Sequence, residues 1–290
     1  MLRFRLHDAA RLAVFFAVTT AILACAGSRP QETKVPSRDG TLIALQCAGK
    51  GPNLLLVHGG TGDRTRWTPM LRLLSSHFNV CAMDRRGHGD SGDSPEYSLQ
   101  KEAEDVAAVV DSRGGPVAVL GHSYGGVAAL EAALLTRNIS KLILYEAPLQ
   151  EPVDLDVVEK IERLIQKGGR EQALVTFVRE VVRQTPDEVA AMRSRPSWPA
   201  LVASIGSQPR QMRALAAYRF DPRRMSAIRV PTLLLTGGNS ASPSIKRAIR
   251  SLQASLPNST LMVLEGQQHN AMDSGREQLA RAITSFLLGS

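Results

Sequence analysis

The sequence predicts an α/β fold, a doubly wound and mostly parallel sheet interrupted by an all-helical insertion, and three observations carry that reading. Six uninterrupted apolar runs recur: "NLLLVHG" (53–59), "FNVCAMD" (78–84), "PVAVLGH" (116–122), "KLILYEA" (141–147), "PTLLLTG" (231–237) and "TLMVLEG" (260–266). Runs without polar alternation suit strands covered on both faces, as parallel sheets require. Segments of helical period separate most of them, which argues for helices on both sides of the sheet. Residues 149–225 break the alternation, because they contain several helical patterns and no strand-like run.

Taken in order, "ETKVPSRDGTLIALQCAG" (32–49) reads as two strands joined at Asp39-Gly40, a hairpin signal. Leu99, Ala103, Val106, Val109 and Val110 recur at helical spacing before the third apolar run. In the insertion, "VEKIERLIQK" (158–167) and "EQALVTFVREVVRQ" (171–184) are helical, and Thr185, Pro186 and Glu188 supply an N-cap, an N1 proline and a capping-box partner. Such an insertion at the C-terminal edge of a parallel sheet covers the crevice where these sheets bind ligands, so it reads as a lid. Ile245, Ala248, Ile249, Leu252 and Leu256, then Leu279, Ile283, Phe286 and Leu287, mark two later helices. The chain divides into a leader (1–26), the first part of the sheet domain (27–148), the lid (149–225) and the second part of the sheet domain (226–290).

The 290 residues are 43% hydrophobic and carry a formal charge of +8. That length and composition suit a large buried core. The cations are scattered in ones and twos without interleaved aromatics, which speaks against a nucleic-acid partner. Arg3, Arg5 and Arg11 precede or flank "LAVFFAVTTAILA" (12–24), an apolar run that fits a signal-peptide core and is short for a membrane span. Ala24 and Ala26 frame an A-x-A cleavage site, while "ILAC" resembles a bacterial lipobox that would lipidate Cys25 and tether the chain to a membrane. An uncleaved anchor is the third reading, and export to the periplasm or cell envelope is the common expectation. Cys47 and Cys81 then remain, either as two small buried residues or, in an oxidising compartment, as a pair.

The stretch "PVAVLGHSYGGVAALEAALL" (116–135) places Ser123 between a strand and a helix with Gly121 and Gly125 two residues to either side. G-x-S-x-G in that setting is the nucleophile elbow, where the turn is so sharp that the serine takes a strained backbone and its flanks need glycine. With "LLLVHGG" (54–60), "DRRGHGDS" (84–91) and "EGQQHNAMD" (265–273) in the same order, the chain resembles the α/β-hydrolase superfamily, in its lidded, esterase-like serine hydrolases, over roughly residues 40–148 and 226–290. The resemblance implies Ser123 as nucleophile, His269 as general base, and the backbone N–H groups of Gly60 and Tyr124 as the oxyanion hole. Epoxide hydrolases and haloalkane dehalogenases of the superfamily carry Asp at the elbow, and this chain carries Ser. The acid departs from the commonest pattern: the family places Asp near Ser240, where "GGNSASP" offers no carboxylate. Some members place it one strand earlier, and there Glu146 ends "KLILYEAP", a charge at the end of an apolar run. Glu265, Asp273 or no acid at all are the alternatives.

Asp84 to Ser91 reads as a structural turn with a buried Asp. His58, His88 and His122 lack metal-ligand spacing, so no metal and no cofactor are expected, and His58 and His122 are expected to pack beside the elbow. Phe177, Trp198, Tyr218 and Phe220 read as packing residues of the lid. The sequence therefore points to a serine hydrolase acting on a small carboxylic ester or related acyl compound through an acyl-enzyme on Ser123. The alternatives are a lidded non-catalytic binding or sensor protein, or a carbon–carbon hydrolase or lyase using the same triad.

Overall fold

The computed structural model describes residues 31–149, 153–240 and 242–289; the leader and Cys25 lie outside the described residues. Eight strands form one sheet: β1 (Gln31–Pro36), β2 (Leu42–Ala48), β3 (Asn53–Val57), β4 (Asn79–Met83), β5 (Val117–His122), β6 (Ile139–Tyr145), β7 (Thr232–Gly237) and β8 (Ser259–Leu264). Their order is β1-β2-β4-β3-β5-β6-β7-β8. Pairing is antiparallel from β1 through β2 to β4 and parallel from β4 to β8. The parallel part makes the sheet doubly wound, as its apolar runs predict.

Helices α1 (Thr68–Leu74), α2 (Leu99–Asp111) and α3 (Tyr124–Ala132) connect the first strands. Between β6 and β7 stand α4 (Leu155–Gln166), α5 (Arg170–Thr176), α6 (Pro186–Arg193), α7 (Trp198–Ser204) and α8 (Gln208–Ala217), followed by α9 (Pro222–Met225). The chain ends in α10 (Pro243–Ser255), α11 (Ala271–Ser274) and α12 (Arg276–Leu288). The capping box opening α6 is formed, with Thr185 N–H on Glu188 at 2.7 Å and Glu188 N–H on Thr185 Oγ1 at 3.2 Å. The helical run 171–184 is less regular than its periodicity predicts, since α5 ends at Thr176 and a π turn takes over at Phe177–Val181.

Successive strand residues point to opposite faces, so each strand feeds two cores. Leu55 and Val57 join the layer under α2, α3 and α10, whereas Leu54 and Leu56 join the layer under α1 and α12. Burying each such Leu contributes on the order of 2 kcal/mol, which is why the central runs tolerate no polar residue. β8 departs from that reading: it is an edge strand, and Leu261, Met262 and Val263 are 40%, 36% and 42% exposed. An apolar run alone does not distinguish a covered strand from an edge strand.

Cys47 and Cys81 face each other in the β2–β4 register and form a disulfide. For cysteines on neighbouring strands, disulfide geometry leads one to expect a Cα separation of about 4.4 to 6.8 Å. The observed 4.0 Å is shorter, as the narrow pairs of antiparallel ladders approach more closely than average disulfides do.

Candidate active site

Ser123 sits at the C-terminal end of β5 with φ 52° and ψ −126°, one of three non-glycine residues with positive φ among those described. This strain persists because the neighbours fix it. A Cβ on Gly121 would lie 2.6 Å from Gly126 Cα, and one on Gly125 would meet the His58 carbonyl oxygen. Strand and helix approach too closely at the elbow for any side chain there, which is the physical content of the two flanking glycines. Ser123 is partly exposed, and its Oγ makes no hydrogen bond to a described residue. Its N–H donates to the Tyr145 carbonyl at 2.9 Å, tying the elbow to the end of β6.

Glu146 is the second residue with positive φ, at 46°, immediately past β6. That turn drives its side chain back under the loops that follow β7 and β8. Its Oε2 accepts from His269 Nδ1 at 2.7 Å and from the Ser240 hydroxyl at 3.2 Å. Its Oε1 accepts from the Gly237 N–H at 2.8 Å and Thr236 Oγ1 at 3.1 Å. A carboxylate this buried is tolerated because every oxygen is satisfied. Burial pushes its pKa up, but the hydrogen bond and charge of His269, with the Gly237 N–H and the Ser240 hydroxyl, outweigh it and hold the carboxyl below the usual range. Ser240, where the sequence lacks the family's usual acid, thus donates to the Glu146 carboxylate.

The remaining supports of His269 are legible only in three dimensions. His122 Nε2 donates to the His269 carbonyl at 2.8 Å, and the two rings pack with centroids 4.7 Å apart. The Tyr145 hydroxyl donates to the Gln268 carbonyl and accepts from Ala271 N–H at 3.1 Å, clamping the loop from both sides. No hydrogen bond joins Ser123 Oγ to His269, a contact that commonly tightens only when substrate binds. The other carboxylates weighed as acids lie elsewhere: Asp273 pairs with Arg66 at 3.0 Å and Arg195 at 2.7 Å, and Glu265 is exposed.

Gly60 follows β3, and its N–H has no acceptor among the described residues. Tyr124 opens α3, where a first-turn N–H has no intrahelical partner. His58 orients the Gly59–Gly60 peptide: its Nε2 accepts from Arg85 N–H at 3.1 Å, so Nδ1 carries the proton and donates to the Gly59 carbonyl at 2.8 Å. In a trans peptide that carbonyl points opposite to the Gly60 N–H. Burial keeps His58 neutral by pushing its pKa well below the ordinary value, and Arg85 adds to the effect. The Gly60 carbonyl is held from the insertion, by Gln208 Nε2 and by Gln211 Nε2 at 3.3 Å. Gln211 also bonds Arg85 at 2.7 Å and His88 at 3.0 Å. No local sequence signal announces these two glutamines.

Residues 54–282 match the alpha/beta hydrolase family. The chain belongs to that family. An alpha/beta hydrolase from Sphaerobacter thermophilus superposes with a TM-score of 0.78 at 34% identity, covering 88% of this chain and all of its own. The thermophilic esterase of Thermogutta terrifontis superposes at 0.70 and 25% identity, covering 89% of this chain and 98% of its own. A Haemophilus influenzae relative that carries an esterase/lipase name is 28% identical over 245 residues, 81% of this hydrolase and 83% of the relative. Together they mark the chain as a hydrolase of esterase-like kinship. His58, His88 and His122 are taken up in hydrogen bonds to the backbone, and among the described residues no group of three or more His, Cys, Asp or Glu is arranged to hold a metal ion.

Proposed function

We propose that this hydrolase cleaves a small carboxylic ester or related acyl compound through an acyl-enzyme on Ser123. The observation that carries the reading is the 2.7 Å contact between His269 Nδ1 and a fully satisfied, buried Glu146, on loops beside a strained serine. A serine hydroxyl is a poor nucleophile near neutral pH and needs a base at the moment of attack. With Nδ1–H committed to Glu146, His269 Nε2 is left as that base. Ser123 Oγ attacks the acyl carbon, its proton passes to Nε2, and the carbonyl oxygen takes up negative charge between the Gly60 and Tyr124 N–H groups. Glu146 stabilises the imidazolium without taking its proton. Collapse of the intermediate expels the alcohol, which leaves with the proton from Nε2. Water then attacks the acyl-enzyme, His269 accepts its proton, and the carboxylic acid departs as Ser123 is restored.

The occupied acid position weighs against the non-catalytic binding reading, because a carboxylate buried against an imidazole is expensive to maintain without a use. The Cys47–Cys81 disulfide supports placing the protein outside the cytosol. Labelling by a fluorophosphonate, followed by turnover of p-nitrophenyl esters of rising chain length, tests the function. Stoichiometric labelling that disappears in Ser123→Ala is the expected result. A wild-type protein that neither labels nor cleaves any ester in the series overturns the assignment.

A further inference from the structure

The loops that enter the parallel strands lie along the sheet edge opposite Ser123. Those leading into β3, β5, β6 and β7, residues 49–52, 112–116, 133–138 and 226–231, contain no Asp or Glu. Each contains one cation: Lys50, Arg113, Arg137 and Arg229. The four strands are successive neighbours, so at the usual strand spacing the loops cover about 15 Å of edge. Lys50, Arg137 and Arg229 are exposed and Arg113 partly so. Among the described residues none of the four has a carboxylate partner. At the opposite edge Arg64, Arg85 and Arg86 pair with Asp84, Glu102 and Asp105. Charge is therefore neutralised at the catalytic edge and left in excess at the other, where Asp111, accepting from Thr136 and Asn138, stands against the four cations without pairing with any of them.

The cationic edge is also apolar. A crevice of about 280 Å³ opens there, lined by Pro52, Phe78, Pro116, Lys141, Leu287 and Leu288 among others. Leu288 is 51% exposed, and Leu135, in the loop that carries Arg137, is 43% exposed. Lys141 Nζ donates to the carbonyls of Phe286 and Leu287 at 3.0 and 2.9 Å, beside the crevice. Cations interleaved with aliphatic surface complement a layer of phosphates above acyl chains, where long side chains bury their stems and leave the charge at the headgroups. Nucleic acid would call for stacking surfaces instead.

The chain also enters the fold here. Gln31 pairs with Cys47, three residues before Lys50. The apolar run 12–24 ends seven residues before Gln31, a reach of about 25 Å at most.

We propose that this edge docks on the surface of an anionic phospholipid bilayer, with the N-terminal segment entering the same membrane and Ser123 and the helical insertion held on the far side. Flotation of the full-length protein with vesicles of phosphatidylcholine alone, against vesicles of equal parts phosphatidylcholine and phosphatidylglycerol, measures the preference. Binding at least about tenfold tighter to the anionic vesicles is expected, since each basic residue near such a surface contributes about fivefold. Lys50→Gln, Arg137→Gln and Arg229→Gln combined should remove that preference, whereas the equal charge change on the insertion, Lys167→Gln, Arg179→Gln and Arg183→Gln, should leave it. On anionic vesicles, amide exchange should slow in residues 49–52 and 133–138 and not in α4 or α5. A preference that survives the first triple variant, or that falls as far in the second, overturns the proposal. Tighter binding of the wild type to duplex DNA than to the anionic vesicles overturns it as well, and assigns the edge to nucleic acid.

Discussion

The sheet lies between two apolar layers, whereas helices α4 to α8 close a third around Val158, Ile161, Leu174, Trp198 and Ile205. The insertion joins the sheet domain in two ways: at its C-terminal end Leu215, Tyr218, Phe220 and Met225 pack into the layer under α2, α3 and α10, and over the site the contacts are polar. Gln208 and Gln211 reach the Gly60 carbonyl, Ser204 Oγ accepts from Gly62 N–H at 2.7 Å, Ser207 and His88 lie 3.0 Å apart, and Arg195 pairs with Asp273. Apolar burial is insensitive to small displacements, but hydrogen bonds fail within about half an ångström. The polar contacts over the site are thus the more sensitive to displacement, and the apolar contacts of Tyr218 and Met225 the more persistent. Ser123, Glu146 and His269 stand on the sheet domain, and Gln208 and Gln211 reach Gly60 from across the seam.

Substitutions on the sheet side should be the most damaging to turnover. Ser123→Ala and His269→Ala should each remove nearly all activity, by about 10⁶ in kcat as in comparable triads, with the thermal midpoint unchanged. Glu146→Gln keeps the shape and loses the charge, and should lower kcat by on the order of 10⁴. Adding Ser240→Asp to it should recover part of the loss, because Ser240 already touches Glu146 Oε2. Activity within tenfold of wild type in any single variant would remove that residue from the proposed triad.

Three buried histidines make the stability of the fold depend on pH, and one of them, His88, also bonds Ser207 and Gln211 across the seam. Burial is the largest cause holding His58, His88 and His122 well below the ordinary histidine value, so they stay neutral in the fold. The unfolded chain binds three protons below about pH 6.5 that the folded chain does not, so this stability is present above that value and lost as pH falls, by up to about 4 kcal/mol per unit. Calorimetry should show a midpoint that drops steeply below about pH 6; a flat profile would mean that these rings take protons in place.

Gln208 should matter to rate more than to stability. Gln208→Ala is expected to lower kcat about tenfold, less than loss of an oxyanion donor itself, with KM and the thermal midpoint nearly unchanged. A change confined to KM would make Gln208 a substrate contact instead. At the small end, the exposed Arg163–Glu159 pair on α4 should contribute no more than about 0.5 kcal/mol, and a larger effect of Arg163→Ala in denaturant unfolding would show that the insertion depends on its surface.

What could be read from the sequence was whatever has a local signature. The elbow announces itself because close approach excludes side chains at Gly121 and Gly125, and Glu146 because a charge seldom ends a buried run. Gln208 and Gln211 were illegible: a glutamine on a helix looks the same whether it faces water or Gly60, and their partners lie 148 and 151 residues away. The exposure of β8 was hidden for a related reason, since edge and centre differ in neighbours and not in composition.

The disulfide has a mechanical consequence. Gln31 is in register with Cys47, and Cys47 is bonded to Cys81 on β4. A pull on the chain at Gln31 would load the non-covalent pairing of β1 with β2 first, and only after β1 had opened would it reach the covalent link from β2 to β4. β2 cannot be peeled from β4 while that link holds, so the opening stops at β1. Tension would instead be shared with β4 and its parallel neighbour β3, which resist in shear, so the outermost strands act as a strain relief for the site they stand farthest from.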